Sequence, residues 1–280
     1  MEKVAQLLFK QGIYPTNYYY KEENLEEYYL NLIAGECKMI NLLKSDGYRI
    51  VKSSLCFYSI SGLILLGAFF GFLGSSSTDT AKDLIESGLS NGSMLIPIFL
   101  TNIFMVCWGH DFNYRVVNNS LIAGVSRKTF FLSKVVLTFL LTLLFVSVYA
   151  VSLMVTTILL KGGFPLDVAI KPFLVQLPLY LAASCLGICL FNVFQASYTS
   201  VAAFIAIAFI GDTILSNIIS NYFEKFDVLL DTLFFSNLRS ITDLTVFTSE
   251  QLQTALLSSL IYGLIALAVS FNVFRNREFK

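Results

Sequence analysis

A lone carboxylate, a lone histidine and a close pair of cysteines are the residues whose chemistry the surrounding sequence singles out. Asp212 is the one ionisable carboxylate set inside an otherwise apolar stretch. Placing it in lipid would cost about 2.5–3.5 kcal/mol on insertion scales, so it is expected to face protein or water. Two readings follow for it. It belongs to a polar patch, with Gln176 at similar depth, that lines a path or closes a gate, or it makes a structural hydrogen bond between helices. His110 is the sole histidine, which excludes paired-histidine zinc motifs and weighs against a Ser-His hydrolytic site. Beside Asp111 it reads as a capping or interface residue. Cys185 and Cys189 are one helical turn apart, but no other soft ligand accompanies them, and they read as small packing residues. No G-x-x-x-x-G-K-[ST] sequence occurs, so a P-loop is absent. The chain is therefore expected to be no enzyme and to bind no metal or cofactor itself.

The elements that carry these residues follow from where charge is missing. Of 280 residues 56% are hydrophobic and 14% charged, against about 25% charged in soluble domains. The charge-free runs match the roughly 20 apolar residues that cross a bilayer as one helix. Six spans are expected, at about 55–73, 94–109, 135–160, 173–191, 201–219 and 254–274, with the polar stretch Asn192 to Ser200 dividing the fourth from the fifth. The net charge of zero gives no case for nucleic acid as a partner. Met1 to Lys21 lacks a basic segment followed by an apolar one, so no cleaved signal peptide is expected. The other cysteines, Cys37, Cys56 and Cys107, suggest no external disulfide framework.

Orientation follows from Lys and Arg, which collect on the cytoplasmic side. With the N-terminus inside, 14 of the 19 fall in inner segments and five in outer ones. Both termini are thus expected in the cytoplasm and the chain in the plasma membrane. Tyr29, Ile33, Cys37, Ile40, Leu43, Gly47 and Ile50 form a stripe, with Lys44, Asp46, Arg49 and Lys52 off it, which predicts an amphipathic helix at the membrane surface. In the longest outer segment, Phe223, Phe226, Leu230 and Leu233 share one helical face and Glu224, Asp227 and Asp231 another. That predicts a helical segment, dipping or capping, before the last span.

The inner loop between spans two and three reads DFNYRVVNNSLIAGVSRKTFFLSK from Asp111 to Lys134. Val116, Val117, Ser120 and Leu121 share a face of a short helix, Gly124 is placed to end it and Ser126 to cap the next. A compact helix held between two spans suits docking in a groove of another protein. This loop resembles that of the type-2 ABC exporter permeases, which have an acidic residue, a short helix, a Gly-hydrophobic-Ser-Arg turn and a Lys opening the third span. Asp111 stands where Glu is usual, Gly124, Ser126, Arg127 and Lys134 match, and Arg115 and Val116 replace the customary Gly-Thr. Met39 to Lys52 is similar to the N-terminal elbow of such permeases, and the resemblance covers residues 39–280, leaving 1–38 as a cytoplasmic extension.

The resemblance implies an all-α integral membrane fold: six transmembrane helices, an N-terminal elbow helix, a cytoplasmic coupling helix and an external helical segment before the last span. It implies a permease subunit that pairs with a second copy or paralogue and with separate ABC ATPase subunits, which hold the ATP, to move a substrate outward. Asp111, Val116, Val117, Leu121, Gly124, Ser126 and Arg127 would then form the ATPase-coupling element. Small external loops point to a substrate of peptide or lipid-like kind. Two other readings are a membrane sensor or immunity protein that binds a peptide without moving it, and an ion-coupled transporter. The latter is weakened by its single intramembrane carboxylate and the lack of an inverted repeat.

Overall fold

Backbone polar groups in hydrocarbon must be paired within their own segment, and the apolar runs accordingly fold as helices. The computed structural model describes residues 38–76, 80–113, 116–122, 124–194, 196–222, 230, 232–242 and 249–277. Among these there is no strand, and six helices are long and apolar enough to cross a membrane: Ser54–Ser75, Ala81–Asn113, Arg127–Lys161, Ala169–Val193, Ser197–Tyr222 and Glu250–Asn276. The chain is thus a multi-pass, all-helical membrane protein by length and composition. Residues 1–37, with Tyr29, Ile33 and Cys37, lie outside the described residues, as do Arg115, Phe223, Glu224, Phe226, Asp227 and Asp231.

In chain order, α1 is Lys38–Val51, α2 Ser54–Ser75 and α3 Ala81–Phe104. A π-helical turn, Met105–Gly109, leads from α3 into α4, His110–Asn113. Then come α5, Val116–Ile122, α6, Arg127–Lys161, and α7, Asp167–Val193. The fifth span is α8, Ser197–Ala206, a second π turn, Ile207–Gly211, and α9, Asp212–Tyr222, followed by α10, Phe234–Ser240, and α11, Ser249–Asn276.

The second span starts well before the expected 94, because Thr80 accepts a hydrogen bond from Asp83 N–H at 3.2 Å and Lys82 pairs with Glu86. These charges hid an amphipathic first half whose Leu84, Ile85 and Leu89 are buried. Ser126 caps α6 through Thr129 N–H, 3.1 Å, so that helix begins at Arg127 rather than 135. Its 35 residues make a rod of about 52 Å, longer than the roughly 30 Å hydrocarbon core.

Small residues let the helices approach, as is usual where lipid supplies no hydrophobic drive between them. A Cβ at Gly67 of α2 would lie 2.8 Å from the Ser152 side chain of α6, and Ser152 donates to the Ile64 carbonyl at 2.7 Å. Gly92 leaves room for the Tyr149 ring and Gly187 for Phe104. The second span is the most enclosed, with 67% of its apolar window buried, whereas only 11% of the fifth is, so the fifth flanks the bundle. Near α5 an aromatic cluster joins three helices: Trp108 meets Phe131 at 5.4 Å, and Phe131 meets Phe271 at 5.3 Å and Phe274 at 5.5 Å.

Candidate functional site

The short helix α5 is stopped by a left-handed glycine. Gly124 has φ +82°, its N–H donates to Leu121 O at 3.0 Å, and Val125 N–H reaches back to Ser120 O at 3.1 Å. This pair of bonds closes a helix with a Schellman turn, and Val125 is buried beneath it. Ser126 then starts α6 at once, so α5 hangs between two long helices on tight, capped connections. Its inward side is Val117, 1% exposed, with Val116 and Leu121 half-buried, whereas Ile122 is 81% exposed and Asn119 is also exposed. Val117 therefore belongs to the chain's own core and is no free docking residue. The outward face of α5 centres on Ile122, which lies off the face shared by Val116, Val117, Ser120 and Leu121.

Between α1, α4 and α6 lies a group of four charges, three of them buried. Lys134 of α6 pairs with Asp46 of α1 at 2.7 Å and with Asp111 of α4. Arg49 donates to Asp111, lies 3.3 Å from Asp46 and donates to the Val106 carbonyl at 3.3 Å. Lys134 and Asp111 are each 1% exposed and Asp46 is 7% exposed. Two positive and two negative charges cancel, which makes burial tolerable. Burial works against the Arg49 guanidinium, but its bond to Asp111 and the charges of Asp111 and Asp46 outweigh that and hold its pKa above the ordinary arginine value.

This arrangement moves three residues from where the sequence put them. Asp111 is not in a loop, because the π turn carries the second span on through Asn113. Nor is it free to touch another protein. Asp46 and Arg49, set on the polar side of α1 by periodicity, turn inward because a cation and an anion await them, and the exposed side of α1 is Ile40, Lys44, Tyr48 and Val51. Arg127, also expected at the coupling element, donates to the carbonyls of Arg275 at 2.5 Å and Arg277 at 2.9 Å. Arg277 stacks on Phe112, 4.5 Å from ring to guanidinium, and donates to Asn192 O at 3.3 Å. The end of the last span is thereby tied to both flanks of α5.

The opposite end of the bundle holds Asp212 and Gln176. Both reach α10. Ser236 N–H donates to Asp212 Oδ2 at 2.6 Å, at the start of α10, whose own N-cap residue Leu233 has no side chain for the task. Gln176, 1% exposed, donates to Leu238 O at 2.9 Å, and Ser90 donates to Arg239 O at 2.8 Å. Three spans thus satisfy the orphan backbone groups of one short helix. Arg239 in return donates to Ala208 O at 2.9 Å, a carbonyl of the second π turn. Cys185, by contrast, is buried against α11, where its Sγ lies 3.5 Å from the space beside Gly263.

Beyond Asp212, α9 carries Thr213, Asn217, Ser220 and Asn221, spaced on one helical face and all exposed. Asn221 donates to Asn217 O at 2.8 Å, and polar side chains inside a membrane are costly and generally face protein or water.

No protein-family model matches the sequence, and no curated protein is similar to it.

Proposed function

We propose that the chain is the permease subunit of an ATP-driven exporter of the type-2 ABC kind, paired with a second permease and with separate ATPase subunits beneath α5. The observation that carries this reading is α5 itself. A seven-residue helix packs Val117 against the bundle, turns an exposed apolar tip at Ile122 outward, and is closed at its far end by the Gly124 turn and the Ser126 cap. Such a projection suits a groove on a soluble partner, and the helices that flank it, α4 and α6, are bonded to α1 and to the end of α11, so a push on α5 would spread into the membrane domain. The polar face of α9 fits a second element of the reading, an outward path between two copies. The weighting of Lys and Arg supports a cytoplasmic side for α5 and both termini. ATP would be bound and split by the partner.

The test starts from native membranes. A P-loop ATPase is expected to co-purify with the full chain, and cysteine at Ile122 to crosslink to it, while cysteine at the buried Val117 does not. Ile122→Asp should release the ATPase, since an anchor of this kind contributes more than about 1 kcal/mol, and leave the permease folded. If no P-loop ATPase accompanies the wild-type chain, the proposal fails.

A further inference from the structure

At the α10 end of the bundle a cleft of about 350 Å³ opens sideways between the fifth and sixth spans, within the size range of small-ligand sites. Its walls are apolar. Leu186 and Cys189 of α7 face Ile265 and Val269 of α11, and Phe234 and Phe235, with ring centroids 4.7 Å apart, close the α10 end. Asp212 is the one charged group lining it, and Tyr262 stands at the same end. Ile265 and Val269 are 55% and 45% exposed, so the side entrance faces what would be lipid.

The carboxylate has capacity to spare. Ser236 N–H takes Oδ2, and Phe235 N–H is directed at the same group. A carboxylate accepts about four hydrogen bonds, and both of these donors are neutral. Arg239 is near enough to act on it through space, but its bond goes to Ala208 O, and no ion pair to Asp212 forms among the described residues. The charge therefore looks into an apolar cleft with no cation of the described residues in contact. From Tyr262 to Val269 the wall of α11 extends for about 10 Å, away from the charge and toward the middle of the bundle.

We infer that this cleft binds an amphipathic monocation, an alkyl chain with an ammonium head, taken sideways from the bilayer. The head meets Asp212 at the α10 end, and the chain lies along α7 and α11. A carboxylate rejects anionic amphiphiles, and the apolar length excludes small hydrophilic cations. The inference needs only that the chain spans a bilayer, and it stands or falls apart from any ATPase.

The experiment uses the full chain in phosphatidylcholine nanodiscs, with labelled dodecylamine as probe and dodecanol and dodecanoate as competitors of equal chain length. Saturable binding of one dodecylamine per chain is expected, preferred over dodecanol by at least about tenfold, the scale of a charge-assisted hydrogen bond. Dodecanoate should not compete. Asp212→Asn, which still accepts from Ser236, should bring dodecylamine down to the dodecanol level. Ala266→Phe fills the cleft while leaving the Asp212 carboxylate in the chain and should abolish binding of both. The absence of a saturable site, equal affinity for dodecanol, or a cation preference that survives in either variant overturns the inference. If Asp212→Asn does not fold, Ala266→Phe decides alone, and unchanged binding there overturns it.

Discussion

Replacing Lys134 by Met keeps a long unbranched stem and removes the ammonium that neutralises Asp46 and Asp111. The Lys134 and Asp111 side chains are each 1% exposed and that of Asp46 is 10% exposed, so water cannot take the place of the lost charge. Breaking a buried pair in this way costs about 3–5 kcal/mol. Arg49 stays on Asp111 and near Asp46, which favours the lower end, about 3 kcal/mol. For a chain of this size that is a fall in Tm of roughly 6–12 °C. Arg49→Gln should cost less, about 1 kcal/mol or below, because that side chain is 33% exposed and solvent screens it. Adding Asp111→Asn to Lys134→Met removes an unpaired charge and should restore part of the loss. Trp108, the single tryptophan, is buried and donates to Thr138 on α6 one turn from Lys134, so its fluorescence on heating reports the site directly. If Arg49→Gln lowers Tm more than Lys134→Met, or the double variant falls further than either, the buried neutral group is not what holds α1, α4 and α6 together.

Gly92→Ala and Gly187→Ala each drive a methyl to 2.3 and 2.2 Å from the Tyr149 and Phe104 rings, and overpacking should cost about 1–3 kcal/mol in thermal melts. Gly47→Ala meets nothing within 4 Å on α1 and should stabilise by about 0.4–1 kcal/mol in the same assay. Arg127→Gln should change Tm little but speed hydrogen exchange over residues 272–277, whose last carbonyls it now satisfies. Unchanged exchange would mean that α11 ends without that help.

The spans were legible because a bilayer imposes one strong rule, and a run such as Leu55 to Leu73 has few ways to obey it. The stop at Gly124 and the cap at Ser126 were equally legible, since each is a local backbone matter settled within five residues. The direction in which side chains face was not. Asp46 and Arg49 look like solvent residues until Lys134 and Asp111, more than sixty positions away, are brought beside them. Val117 and Ile122 differ in exposure because α5 tilts its apolar side onto the bundle, and a seven-residue helix carries too little periodicity to reveal which side that is. The π turns leave no mark in the sequence, because MVCWG and IAFIG are ordinary apolar helix sequences.

Those two π turns point to a shared way of placing charge in a span. In each, the widened turn comes just before a carboxylate, Asp111 in one and Asp212 in the other, and an arginine from another element donates to a carbonyl inside it, Arg49 to Val106 and Arg239 to Ala208. A π turn leaves a carbonyl poorly served by its own helix, often where function needs a local change of face. An arginine that takes that carbonyl stands within the field of the next carboxylate. The two cases then diverge. At the α5 end Arg49 goes on to bond Asp111, Lys134 adds a second cation, and the group closes into a neutral, rigid unit. At the α10 end Arg239 stops at the carbonyl, and Asp212 keeps charge available to the cleft. The same local device therefore yields a fixed joint where the bundle carries α5 and a partly open polar site where a ligand could enter from lipid.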